Sequence, residues 1–333
     1  MSNYQLSFTS YELQNINLLL SMRSYAIIGT GALGGYYGAK LQQAGLDVHF
    51  LLNSDYEHVN LNGLIVESPT GDFTLPCVNA YNDTAKMPLC DVVIVAIKTT
   101  HNYLLPKILP DVIKDDGVVL VLQNGLGIEE EVADIVGADR VIGGLCFLCS
   151  NKVAPGHIRH LDYGEIKLGE YTPDYRVVGI SERMRQIASD FDSTDIPILL
   201  AEDLLLARWQ KLVWNIPYNG LSVVLDALTD ELMGDPHARV LVEELMQEVV
   251  TGAAACGRII SDSFIHKMLD YTVKTIPYRT SMKIDYEEKR SLEVETMFGN
   301  PLRAAQKAGV NLPKIAMLYQ QLKFIDARNS HKK

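Results

Sequence analysis

Three glycines, Gly29, Gly31 and Gly34, constrain this chain more than any other feature, because they fall between a short apolar run and a helical stretch. The run is Tyr25-Ala26-Ile27-Ile28, and the helical stretch reaches about Ala44, where Gly45 ends it. In a strand–turn–helix unit the first glycine permits the tight turn. The second lets the backbone approach a pyrophosphate, and the third lets helix and strand pack closely. The phosphates then meet unpaired N–H groups at the positive end of the helix. A bare G-x-G-x-x-G occurs by chance, but here it stands at the first βα turn of a βαβ unit. The segment Gly29-Thr30-Gly31-Ala32-Leu33-Gly34 is therefore read as the dinucleotide-binding turn.

The rest of the first half supports that reading. Val48-His49-Phe50-Leu51-Leu52 predicts a second strand, and residues 64–68 and 73–78 alternate around Pro69-Thr70-Gly71-Asp72 as a β-hairpin would. Residues 91–98 form the continuous apolar run of a parallel strand covered on both faces. A helix near 103–113, a strand over 118–123, a helix near 128–136 and a strand over 141–149 continue the alternation. The pattern predicts an α/β fold, a Rossmann-type doubly wound sheet. Past about residue 200 helix-period segments take over, at 202–215, 240–255, 263–275 and 292–308. The expected organisation is an extension over 1–22, a dinucleotide-binding domain over 23–198 and an all-helical substrate and dimerisation domain over 199–330. The extension reads as a loosely ordered tail or as the product of a start codon placed too early, with Met22 the start. It lacks the basic, then long apolar, pattern of a secretory signal, and no run approaches a membrane span.

With 41 acidic against 30 basic residues the formal net charge is -11, which argues against nucleic acid and anionic membrane as partners. An anionic substrate would need a local positive site. Five cysteines in a chain of this size read as reduced thiols of a cytoplasmic protein. Cys146 and Cys149 have redox or zinc spacing, but they sit in a strand where i and i+3 face opposite sides, so they are read as core thiols. No metal is expected.

The tip of the second strand discriminates between nicotinamide cofactors, an acid binding the ribose 2′-hydroxyl and a base a 2′-phosphate. Here Asn53 is neutral and Asp55 lies further along, so the choice between NADPH and NADH stays open on this segment. Lys98 and Asn124 end two further strands, where ligands bind in such sheets. By itself Lys98 reads equally as a surface lysine, and Asn124-Gly125 as a simple turn. Lys211, Asn215 and Asn219, spaced by four, share one helix face within an apolar stretch, where polar groups are costly without a purpose. A solvated stripe is the alternative. Pro217 is expected to bend the chain there.

Taken in order, Gly29 to Gly35, Ile97-Lys98, Gln123-Asn124-Gly125-Leu126-Gly127, Trp209 to Asn215, and Thr280-Ser281-Met282 with Asp285, Arg290 and Leu292-Glu293-Val294-Glu295 resemble the ketopantoate reductase (2-dehydropantoate 2-reductase) family. The resemblance covers residues 25–322. It implies NAD(P)H-dependent reduction of a small anionic 2-oxo acid, ketopantoate to pantoate, in pantothenate and coenzyme A biosynthesis. Lys211 would be the general acid and Glu293 the residue that positions it and contacts substrate. Asn124, Asn215, Asn219 and Ser281 would bind substrate, and Lys98 and Asn124 would lie near nicotinamide and ribose. NADPH is the implied cofactor, with NADH open because Asn53 stands where the family often has Arg. Phe298-Gly299 replaces the family's Asn-Gly, which bears on the substrate pocket. A homodimer is a candidate state, since such helical domains often pair. The rival readings are an oxidoreductase for another 2-oxo acid, a β-hydroxyacid or opine-type dehydrogenase, and a non-catalytic NAD(P) sensor.

Overall fold

The computed structural model describes residues 23–274 and 277–330, so the expected extension lies outside the described residues. The first half runs β1 (Ser24–Ile28), α1 (Ala32–Gln43), β2 (Asp47–Leu51), α2 (Tyr56–Asn62), β3 (Leu64–Glu67), β4 (Phe73–Leu75) and β5 (Asn79–Tyr81). It continues with β6 (Cys90–Val95), α3 (Leu105–Val112), β7 (Ile113–Val121), α4 (Ile128–Val136), β8 (Val141–Ala154), β9 (His157–Glu170), α5 (Glu182–Asp190) and β10 (Ile198–Ala201). The strands form one sheet in the order β4-β3-β9-β8-β7-β6-β1-β2-β5, with β10 on β9.

From β5 to β8 all pairings are parallel, as the alternation predicts. Beyond β8 the sheet is mixed: β8 and β9 form a long antiparallel hairpin, and the predicted hairpin β3–β4 joins the far edge. The chain order reverses between β1 and β6, and ligands in such sheets bind at the carboxyl ends beside that reversal. Successive residues supply opposite faces: Tyr25 and Ile27 enter one core, Ala26 and Ile28 the other. That two-sided burial is why these strands read as unbroken apolar runs.

The second half consists of α6 (Leu204–Val224), α7 (Thr229–Gly234), α8 (Pro236–Ala255), α9 (Asp262–Lys274), α10 (Ser281–Glu287), a π-helical turn (Glu295–Gly299), α11 (Asn300–Lys307) and α12 (Pro313–Ser330). Cutting the chain between Ala201 and Leu204 keeps β10 with its sheet, whereas a cut at 198/199 would split it. Helix α6 is buried nearly all round, with Trp209, Leu212, Val213 and Ile216 in the helical core. It starts on a side-chain cap, Asp203 Oδ1 accepting from the Leu206 N–H at 2.9 Å. It also runs unbroken through Pro217 to Val224, about two and a half turns past the end that the sequence pattern indicates. Packing on every side outweighs the single hydrogen bond that proline removes. The segment 292–308 is not one α-helix: an inserted π turn precedes α11.

Candidate active site

One cleft of ≈ 1170 Å³ runs along the carboxyl ends of the strands and under α6. Of the residues singled out from sequence, Gly29, Thr30, Gly31, Ala32, Leu33, Asn53, Lys98, Asn124, Lys211, Asn215, Asn219, Ser281 and Glu293 all border it. Gly34 does not. It lies beneath the turn, where an added Cβ would stand 2.2 Å from the Gly29 carbonyl oxygen and 2.9 Å from the Ala96 Cβ.

At one end, Gly29 takes φ +103°, where a side chain would strain and also strike Ile97. Gly31 faces open space, with no atom within 4 Å of an added Cβ. It is also the N-cap of α1 and gives no side-chain cap, so the first N–H groups of the helix face the cleft unpaired by a side chain. Thr30 Oγ1 ties the turn to the Leu51 carbonyl at 3.0 Å. These features fit a pyrophosphate.

At the other end, Lys211 is buried and donates from Nζ to the Cys146 carbonyl at 2.6 Å, beneath the Phe147 ring at 5.4 Å. Burial, aided by the positive charge of Arg208, lowers its pKa to about 8, although Cys146 and Glu293 act the other way. Asn219 Oδ1 accepts from the Ser281 hydroxyl at 3.4 Å and the Met282 N–H at 3.3 Å, which joins α6 to the start of α10. The three polar residues of α6 thus line a cleft and do not form a solvated stripe.

Glu293 is placed differently from the expectation. Its carboxylate accepts from the Thr99 N–H at 2.9 Å, the Thr99 hydroxyl at 3.0 Å and Lys98 Nζ at 3.4 Å, while Lys211 bonds to a backbone carbonyl instead. Lys98 is no ordinary surface lysine: it also pairs with Asp285 at 2.7 Å, and Arg290 holds the other Asp285 oxygen at 2.9 Å. The carboxylates around it raise the Lys98 pKa against the pull of burial.

The Asn124-Gly125 turn is also a docking point. Gly125, at φ +114°, presses on Thr296 of the π turn, and the Leu126 N–H donates to the Thr296 carbonyl at 2.9 Å. Phe298 is buried in the helical core and does not itself border the cleft. Cys146 and Cys149 both border the cleft, as do Phe147, Leu148 and Ser150 between and beside them, so this stretch of β8 meets the cleft with both of its faces. All five cysteines are free thiols.

Sequence reasoning missed the fixed frame behind Lys211. Arg208, fully buried one turn earlier on α6, donates to Glu129 Oε1 at 2.7 Å and to the Gln123 carbonyl at 2.8 Å. This bolts the helix carrying Lys211 onto the loop carrying Asn124. A charged residue three positions from Lys211 in an apolar helix was the available signal.

A Rossmann sheet, a dinucleotide turn and a buried lysine roofed by a helical domain define a nicotinamide-dependent oxidoreductase. Residues 25–173 match the family model for ketopantoate reductase PanE/ApbA, and residues 203–326 match that for its C-terminal part. The chain belongs to the ketopantoate reductase family. It is 68% identical to a 2-dehydropantoate 2-reductase of Nostoc sp., over 93% of this chain and 97% of the relative. Its fold is similar to the crystal structure of 2-dehydropantoate 2-reductase from Geobacter metallireducens, at TM-score 0.87 and 42% identity over 90% of this chain and 99% of that one. The enzyme from Methylococcus capsulatus is similar at TM-score 0.82 and 33% identity, over 92% and 98%. Membership implies NAD(P)H as cofactor.

Proposed function

We propose that the chain reduces ketopantoate to pantoate with NADPH, and that Lys211 is the general acid. The observation that carries this reading is Lys211 itself. It is buried in the interdomain cleft, its pKa is lowered to about 8, and it is hydrogen-bonded to a carbonyl and not to a carboxylate. When bound, NADPH supplies the hydride that reaches the carbonyl carbon. Negative charge then gathers on the substrate oxygen. Lys211 Nζ donates its proton to that oxygen and is left as a neutral amine, the form that burial favours. An ammonium has three protons, and the Cys146 carbonyl takes one.

General acid help of this kind contributes about 10²–10⁴ in rate. Ser281 and the amides of Asn215 and Asn219 bind the substrate carboxylate and hydroxyl, since hydrogen bonds to charged acceptors are the stronger kind. Lys98, clamped by Asp285 and Glu293, lies where nicotinamide and ribose are expected, with Asn124 beside it. The turn from Gly29 to Leu33 holds the pyrophosphate. Exposed apolar side chains at Val240, Leu241 and Ile259 support a homodimer formed through the helical half.

The test follows loss of reduced nicotinamide absorbance with ketopantoate, using NADPH and NADH in parallel and Lys211→Ala as the comparison. Turnover by the native chain alone is the expected result. Equal rates in the variant would reject Lys211 as the acid, and no turnover despite normal cofactor binding would reject the substrate.

A further inference from the structure

The tip of β2 poses a problem that lies in tertiary contacts. Asn53 carries no charge, and Asp55, the nearest acid, is almost fully buried. Asp55 stands at the N-cap of α2 and yet makes no cap bond. Its carboxylate is spent elsewhere. Oδ1 accepts from Lys152 Nζ at 2.9 Å and from the Ser54 hydroxyl at 3.0 Å, and Oδ2 accepts from Lys152 Nζ at 2.8 Å and the Gly156 N–H at 3.1 Å. A carboxylate has about four lone-pair sites, and four hydrogen bonds from these three groups occupy them. Burial acts to raise the Asp55 pKa, but the bonds from Lys152 and Gly156 outweigh it and hold the group ionised. Asp55 therefore has no acceptor left for the two hydroxyls of an adenosine ribose.

Lys152 arrives from far away in sequence, on the β8–β9 hairpin, and its side chain is 36% exposed. It borders the cleft beside Asn53 and Ser54. Two of its three protons go to Asp55, which leaves one donor and a cation at the mouth of the dinucleotide groove. The acid that would favour an unphosphorylated ribose is neutralised by the base that would favour a phosphorylated one.

We propose that Lys152, held by Asp55, is the specificity-determining residue that recognises the 2′-phosphate of the cofactor, in the place where Asn53 supplies no charge. This rests on the reading that the cleft takes a nicotinamide dinucleotide. It does not depend on which 2-oxo acid is reduced.

The experiment is a fluorescence titration of the purified full chain with NADPH and with NADH, in the absence of any oxo acid, alongside thermal melting. The native chain is expected to bind NADPH at least tenfold more tightly than NADH. Lys152→Met should shrink that ratio at least tenfold by weakening NADPH alone, with NADH binding unchanged. Because this variant leaves a buried carboxylate unpaired, the matched pair Asp55→Asn with Lys152→Met is measured as well, and it should show the same loss of preference. A native preference for NADH, or a ratio unchanged in both variants, overturns the proposal. Equal weakening of both cofactors also overturns it, since that is what a merely structural ion pair would give. Failure to turn over ketopantoate with these affinities intact would count against the substrate and leave Lys152's role standing.

Discussion

The two ends of the cleft are built in different ways. The end proposed for the pyrophosphate is essentially one stretch of chain, Gly29 to Gly34, whose turn and helix start arise from neighbouring residues; the Lys152–Asp55 pair beside it joins distant segments. The carbonyl end gathers Lys98, Asn124, Cys146, Lys211, Ser281 and Glu293 from six separate segments and both domains. A local device requires only the correct backbone conformation. A convergent one requires a rigid frame, and here Arg208, Gly125 and the Lys98 ion pairs supply it across the domain junction. Damage should therefore act differently at the two ends. At the phosphate end each glycine has its own separable effect, while at the carbonyl end chemistry fails with the fold intact.

The largest expected effect is at Lys211. Lys211→Ala should lower kcat by about 10²–10⁴ while the NADPH dissociation constant stays within about threefold. Steady-state kinetics and fluorescence titration check this, and a parallel loss of cofactor affinity would mean that the two ends are not independent.

Next comes the contrast between two glycines. An alanine at Gly34 meets a backbone carbonyl at 2.2 Å, so Gly34→Ala should destabilise by about 1–3 kcal/mol or more and lower the melting temperature. Gly31→Ala meets nothing and should melt normally, yet bind NADPH at least about tenfold more weakly, because the methyl would enter the open space proposed for the pyrophosphate. Equal melting losses in both would break the distinction between packing glycine and phosphate glycine.

The pH profile gives a graded test. Lys211 must be charged to act as an acid, and its pKa is lowered to about 8. Reduction should be full below that value and fall about tenfold per pH unit above it, with the reverse oxidation rising over the same range. A profile flat from pH 7 to 9.5 would remove Lys211 from the proton transfer. The smallest effect is at Ser281, whose hydroxyl sits on Asn219 at 3.4 Å. Ser281→Ala should raise the KM for the oxo acid about tenfold, the size of one hydrogen bond to a charged acceptor, with kcat nearly unchanged.

Elements governed by local or two-sided burial patterns were legible in the sequence. The β1–α1–β2 unit, the β3–β4 hairpin and α4 appear close to where apolar runs and turn residues place them. The π turn, the register shifts between β8 and β9 and the passage of α6 through Pro217 were not. Each is fixed by what packs against it, not by the periodicity of its own residues.

The sequence by itself determined the dinucleotide turn, the two-part architecture and the roster of polar residues that border the cleft, because spacing sets which side chains share a helix face and where a strand ends. Tertiary structure alone decided their partners. It gave Lys211 to the Cys146 carbonyl, Glu293 to Lys98 and Thr99, Arg208 to Glu129, and Lys152 to Asp55. A buried charge takes whichever compensating group the folded chain brings within hydrogen-bond reach, and distance along the sequence carries no record of that choice.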